Sequence, residues 1–175
     1  MSEPLTDTSA PRRYVTFAVF VGVLGLTDGV LWHFLATPPS FTIGDDLGAI
    51  ITERGLSQTF AMDVWFVLLG TALGLLLGVA TRLVFPQMGW QVVAVGLVAA
   101  MLAGFIGWQF GHLLGPRDFA DRLAQAKAGD RVPMDLDLHD WAVLLVWPTV
   151  TSLVLFVAAV SSALRSVDWH HAATA

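Results

Sequence analysis

The chain has no cysteine and few charges. Without thiols it can form no disulfide, no iron–sulfur cluster and no thiolate metal site, and the redox compartment cannot be read from it. Charged residues make up 13% of the sequence against 55% hydrophobic, and the mean hydropathy is +0.69, outside the balance of soluble domains. Basic residues are the scarcer sign, nine against 14 acidic, for a formal charge of −5. That balance gives no electrostatic reason to bind nucleic acid. Also missing are a nucleophile motif, a phosphate-cradling loop and an inverted repeat, which leans the reading away from an enzyme or an alternating-access carrier.

What is present is long apolar sequence, in four stretches: Tyr14 to Ala36, Phe60 to Val84, Met88 to Leu114 and Trp141 to Leu164. At about 1.5 Å of rise per residue, each suffices for a bilayer core of roughly 30 Å. The expected fold is an all-α transmembrane four-helix bundle over residues 14–164. The polar segment 1–13 is expected to be a disordered cytoplasmic tail and 165–175 a second tail, with His170 and His171 disordered within it. Arg12-Arg13 before an apolar run raises a twin-arginine signal, but the run is long and ends at Thr37-Pro38-Pro39, so it is read as an uncleaved first span.

Arg12, Arg13, Arg82 and Arg165 fall on one side of four crossings. By the positive-inside rule that side is cytoplasmic and the location is the plasma membrane, with both termini inside. Arg54, Arg117, Arg122, Lys127 and Arg131 lie on the other side but are interleaved with acids. Phe85-Pro86-Gln87 is expected to join the second and third helices as antiparallel neighbours. The outer loops, 37–59 and 115–140, are expected to form an extracytoplasmic cap. Phe41-Thr42-Ile43 and Ile50-Ile51-Thr52 flank a Gly44-Asp45-Asp46 turn as short strands, Arg117 to Ala128 forms an amphipathic helix between Pro116 and Gly129, and Met134 to Leu138 alternates as a strand. Asp45, Asp46 and Glu53 match no calcium-loop spacing and are read as solvated.

Three rows of glycine recur at helical spacing: Gly22, Gly25 and Gly29; Gly70, Gly74 and Gly78; Gly107, Gly111 and Gly115. Bare backbone lets helices approach closely where lipid supplies no hydrophobic drive. The rows serve packing within the bundle, or one of them docks a protein partner or a second copy. Polar groups at membrane depth are costly and point to function. Asp28 lies beside the first row, His33 on it and Asp63 on the second; His112, His139 and Asp140 fall near the outer end. Imidazoles and carboxylates at similar depth suit a divalent metal such as zinc or a proton relay, although no histidine pair has i, i+4 spacing. The alternative is hydrogen bonding that anchors the cap. Trp32, Trp65, Trp90, Trp108, Trp141 and Trp169 are expected to form an aromatic belt, and Trp147-Pro148 to kink the fourth span with Thr151 or Ser152 repairing it.

Ala61-Met62-Asp63-Val64-Trp65-Phe66, Gly107-Trp108-Gln109-Phe110-Gly111-His112-Leu113-Leu114-Gly115-Pro116 and Leu144-Leu145-Val146-Trp147-Pro148 together resemble a family of small four-span membrane proteins from actinobacteria that carries no assigned function. The resemblance covers roughly Val23 to Ala163. Gln109 stands where the family pattern has Arg, which argues against a fixed cation there. The resemblance implies topology and lineage but no reaction and no cofactor. Three functions stay open, in this order: a structural or accessory subunit of an envelope or respiratory complex, a small ion- or metal-binding or transport protein using Asp28, His33, Asp63 and His112, and an envelope enzyme on lipid-linked substrates with Asp63 and either His112 or His139 as acid and base.

Overall fold

A computed structural model describes residues 9–46 and 48–172. Four of its helices are long and apolar enough to cross a membrane. The order is α1 (Ser9–Leu35), β1 (Ser40–Ile43), β2 (Ala49–Ile50), α2 (Glu53–Val84), α3 (Gln91–Leu114), α4 (Phe119–Gln125), β3 (Arg131–Pro133), a 3₁₀ turn (Trp141–Leu145) and α5 (Val146–Ala172).

Several boundaries differ from the expected ones, each for a local reason. Helix α1 begins at Ser9, so Arg12 and Arg13 are helical rather than part of a tail; residues 1–8 lie outside the described residues. Helix α2 starts at Glu53 because Thr52 caps it, its hydroxyl accepting from the Gly55 N–H at 3.2 Å. Thr52 is therefore a cap and not the end of a strand. The α2–α3 link runs from Phe85 to Trp90, longer than expected, with Gly89 at φ 55°. Pro148 is the third residue of α5, within its first turn, and the 3₁₀ turn Trp141–Leu145 runs directly into that helix, so the proline stands near a helix start, where its missing N–H is tolerated. Helix α5 also runs on to Ala172, which makes His170 and His171 helical in backbone; residues 173–175 are outside the described set.

Glycine decides which helices pair. A Cβ on Gly25 would fall 2.7 Å from the Ala103 carbonyl oxygen, and one on Gly29 would fall 2.6 Å from that of Gly107, so α1 and α3 touch backbone to backbone. The α2 row meets α5: Gly74 faces Val150, and a Cβ on Gly78 would sit 2.7 Å from that of Val154. The tightest pairs are thus α1 with α3 and α2 with α5, and the bundle closes as a ring α1–α3–α5–α2. Although consecutive, α2 and α3 touch each other less than either touches its glycine partner. The core between them includes Phe66, Leu77, Ala100, Ala103, Trp147 and Leu155, while Val19, Leu76, Val98 and Phe156 point outward.

The cap is a three-stranded antiparallel sheet ordered β2-β1-β3, with Thr42 opposite Ile50 and Phe41 opposite Val132. Asp46 serves the intervening turn, accepting from the Gly48 N–H at 3.0 Å. Met134 to Leu138 is not a strand. The chain there is held by side chains instead: Arg122 pairs with Asp135 at 3.0 Å, and Asp135 also accepts from the Phe119 N–H at 3.1 Å. The predicted amphipathic helix shortens to α4, entered through Asp118 at φ 60° and lying with Phe119 against Phe41 at 5.4 Å between ring centres.

Candidate functional site

Three of the residues singled out in the sequence, His112, Asp63 and His139, pin the cap to the bundle. The ring Nδ1 of His112 lies 2.9 Å from the Leu136 carbonyl oxygen, and the Asp63 carboxylate accepts from the His139 backbone N–H at 3.0 Å. Asp140 acts locally instead, capping the 3₁₀ turn by accepting from the Ala142 N–H at 2.8 Å. Trp108, missed as a site residue, adds a third tie by donating its indole N–H to Asp137 at 2.8 Å. The His139 ring is exposed and lies 6.1 Å from that of Phe60. Gly115 makes room for Leu136, which is fully buried beneath these ties. Among the described residues no three histidine or acidic side chains converge on a point where an ion would sit.

Asp28 is different in kind. It is fully buried, and neither carboxylate oxygen has a hydrogen-bond partner. Its position follows from the helix contact around it: Gly25 and Gly29, one turn apart, bring the α3 backbone against α1, and Asp28 between them is carried into the seam. There the carboxyl lies against Gly107, whose absent side chain is the space it fills. Four residues on, Trp32 is also fully buried and donates its indole N–H to the Met62 carbonyl at 2.9 Å, with its ring edge-on to Phe66 at 5.3 Å. Trp32 is therefore core and not belt, whereas Trp90 and Trp141 are exposed; the Trp169 side chain lies outside the described ones.

Trp147 forms the second half of the site. It too is fully buried with its indole N–H unpartnered. It rests against Gly104, where a Cβ would meet its ring at 3.0 Å, and against Gly70, where a Cβ would meet Nε1 at 2.9 Å. Gly104 and Gly107 are three residues apart on one face of α3, so the seats of Trp147 and Asp28 are separated by about 4.5 Å along the axis. An unpartnered acceptor and an unpartnered donor thus occupy adjacent levels of one helix face. The sequence signal for Trp147 was its neighbour Pro148, which suggested a kink and concealed a buried donor. Thr151 does not repair α5 but donates to the Gly74 carbonyl of α2 at 3.1 Å, while the Ser152 hydroxyl is buried without a partner. His33 is half-buried beside Phe34, its Nδ1 also unpartnered.

An ionised carboxylate in such surroundings costs several kcal/mol, roughly 2.5–3.5 at the centre of a bilayer by insertion scales. What the seam accommodates is an uncharged acid or a carboxylate given a counter-charge. No family model matches the chain, and comparison with curated proteins and with solved structures gives no match.

Proposed function

We propose that the chain is a four-span integral protein of the plasma membrane that handles protons or a small cation through Asp28. The observation that carries this reading is the fully buried Asp28 carboxyl with both oxygens unpartnered. A buried ionisable group without a partner weakens the fold, since an apolar residue would pack more stably, and so points to use. The outward row of Val, Leu and Phe on every long helix supports the membrane setting, because an apolar surface of that extent would aggregate in water. Arg12, Arg13 and Arg82 at the end opposite the cap support a cytoplasmic placement of that end.

The mechanism follows from the tightness of the seam. As a neutral acid, Asp28 fits between α1 and Gly107. Once it loses its proton, the carboxylate needs water or a cation, and the α1–α3 contact is too close to admit either. Proton loss is thereby linked to a local separation of α1 from α3, and proton binding to its closure. An accessory-subunit role would draw on exposed glycine rows, but Gly25, Gly29, Gly70, Gly74, Gly78, Gly107, Gly111 and Gly115 all face atoms of this same chain.

Infrared difference spectroscopy of the purified protein in detergent, recorded as the pH is stepped, tests the proposal without a reagent that must enter the seam. The expected result is a protonated-carboxyl C=O band that bleaches as pH rises and is missing in Asp28→Asn. Lack of such a band assignable to Asp28, or a band indifferent to pH, would overturn it.

A further inference from the structure

The end of the bundle opposite the cap carries a groove of about 690 Å³ between α1 and α2. We infer that this groove is a binding site for one anionic phospholipid, its phosphate held by Arg12 and Arg13 and an acyl chain laid on Phe17 and Phe20. The inference needs the bundle to stand in a bilayer and is independent of Asp28.

Helical spacing builds the groove. Arg12 and Thr16 stand one turn apart on one line of α1; Arg13, Phe17 and Phe20 descend a second. Phe20 lies about 12 Å below Arg12 along the axis, so guanidinium groups sit at the mouth, a hydroxyl just beneath them and aromatic rings at the depth of acyl chains. The facing wall on α2 is Ala80 and Val84, and the small side chain of Ala80 opens the hollow. Arg13 is fixed there: it donates to the Val84 carbonyl oxygen and lies over the Phe85 ring at 5.6 Å from its centre. A guanidinium has five N–H donors, so others remain for a phosphate. Arg12 is exposed and has no partner among the described residues.

Charge complementarity selects the occupant. The described acidic side chains other than Asp28 belong to the cap end, from Asp45, Asp46, Glu53 and Asp63 to the run Asp118–Asp140. None competes for the two arginines. On the other flank of α1, against α3, a groove of about 530 Å³ begins at Tyr14 and is lined by apolar side chains such as Val21, Val95 and Leu102. It offers a chain a surface but a phosphate no cation, and so provides an internal control.

Native mass spectrometry of the full chain released from a mild detergent, supplied with phosphatidylglycerol or phosphatidylethanolamine, tests the site. The expected result is retention of one phosphatidylglycerol in preference to phosphatidylethanolamine. Arg12→Gln should weaken that retention about tenfold, as loss of a charge-assisted hydrogen bond does. Arg12→Lys should restore part of it, and Ala80→Phe should abolish it by filling the hollow. Ala94 lines the control groove, and Ala94→Phe, which fills it, should leave the preference unchanged. Equal retention of the two lipids, indifference to Arg12→Gln, or loss in Ala94→Phe to the same degree as in Ala80→Phe would overturn the inference. Because Arg12 is exposed and has no polar partner among the described residues, its variants keep the test clear of misfolding.

Discussion

Asp28 and Leu77 are both fully buried, yet truncating them to alanine should move stability in opposite directions. Leu77→Ala leaves a cavity in the core and should cost about 2–5 kcal/mol. Asp28→Ala removes two oxygens that have no partner and should gain about 1–3 kcal/mol, the penalty for an unsatisfied buried group. Thermal or denaturant unfolding in detergent reads both. A loss of stability in Asp28→Ala would mean that the carboxylate keeps a counter-charge in solution. A residue that weakens its own fold in this way marks a site where stability has been exchanged for use. At this scale the sequence was informative about Asp28, because depth within a span follows from counting residues. It was silent about the burial of Trp32 and Trp147, since in an apolar helix hydropathy does not tell the outer face from the core face; Trp32 looks the same as a belt residue, and Trp147 was read only through the proline beside it.

Between elements, backbone proximity replaces the burial signal that organises soluble bundles. Gly78 and Val154 show how the α2–α5 wall depends on it: Gly78→Ala should cost about 1–3 kcal/mol by overpacking, and Val154→Ala in the same chain should recover part of that loss. A double-mutant cycle should return a coupling of about 0.5–3 kcal/mol, and additivity would show that the two helices do not meet there. Gly22 is the contrasting case, with open space where its Cβ would be, and Gly22→Ala should be close to neutral. The four long apolar helices were legible from hydropathy, and the glycine rows from spacing. Their pairing was not, because a short link between α2 and α3 suggested neighbours while the glycines join α1 to α3 and α2 to α5. The start of α2 was also hidden: Glu53 to Thr59 is too polar to register as a span, and only the Thr52 cap marks it.

Across the whole molecule the two outer loops make one body. Strand β1 comes from the loop after α1 and β3 from the loop before α5, and their pairing joins segments far apart in sequence. The stretch from Leu136 to Asp140 is then tied down by Trp108, His112 and Asp63. Of the polar groups that the sequence places near the cap end, Asp63, His112 and the His139 backbone meet in hydrogen bonds that fasten the cap. Asp63→Ala should release the His139 amide, raising its hydrogen-exchange rate about tenfold while the amides of the α2–α5 seam stay protected. Parallel acceleration in both regions would show that cap and bundle open as one unit. Single-sequence reading could not assign these ties, because each runs to a backbone group or to a side chain on a distant element.

The same sheet makes the two ends of the molecule unlike. Covalent and hydrogen-bonded crossings accumulate at the cap, whereas the opposite end has the Phe85–Trp90 link and the contacts of Arg13, Tyr14 and Phe17 with Val84 and Phe85. Four rods clasped at one end behave as levers: a small tilt at the clasp becomes a larger displacement at the far tips. Helix α1 is about 40 Å long at 1.5 Å per residue, so a tilt of about 5° moves its first turn by about 3.5 Å. Whatever loosens the seam at Asp28 is thus amplified where Arg12 and Arg13 stand.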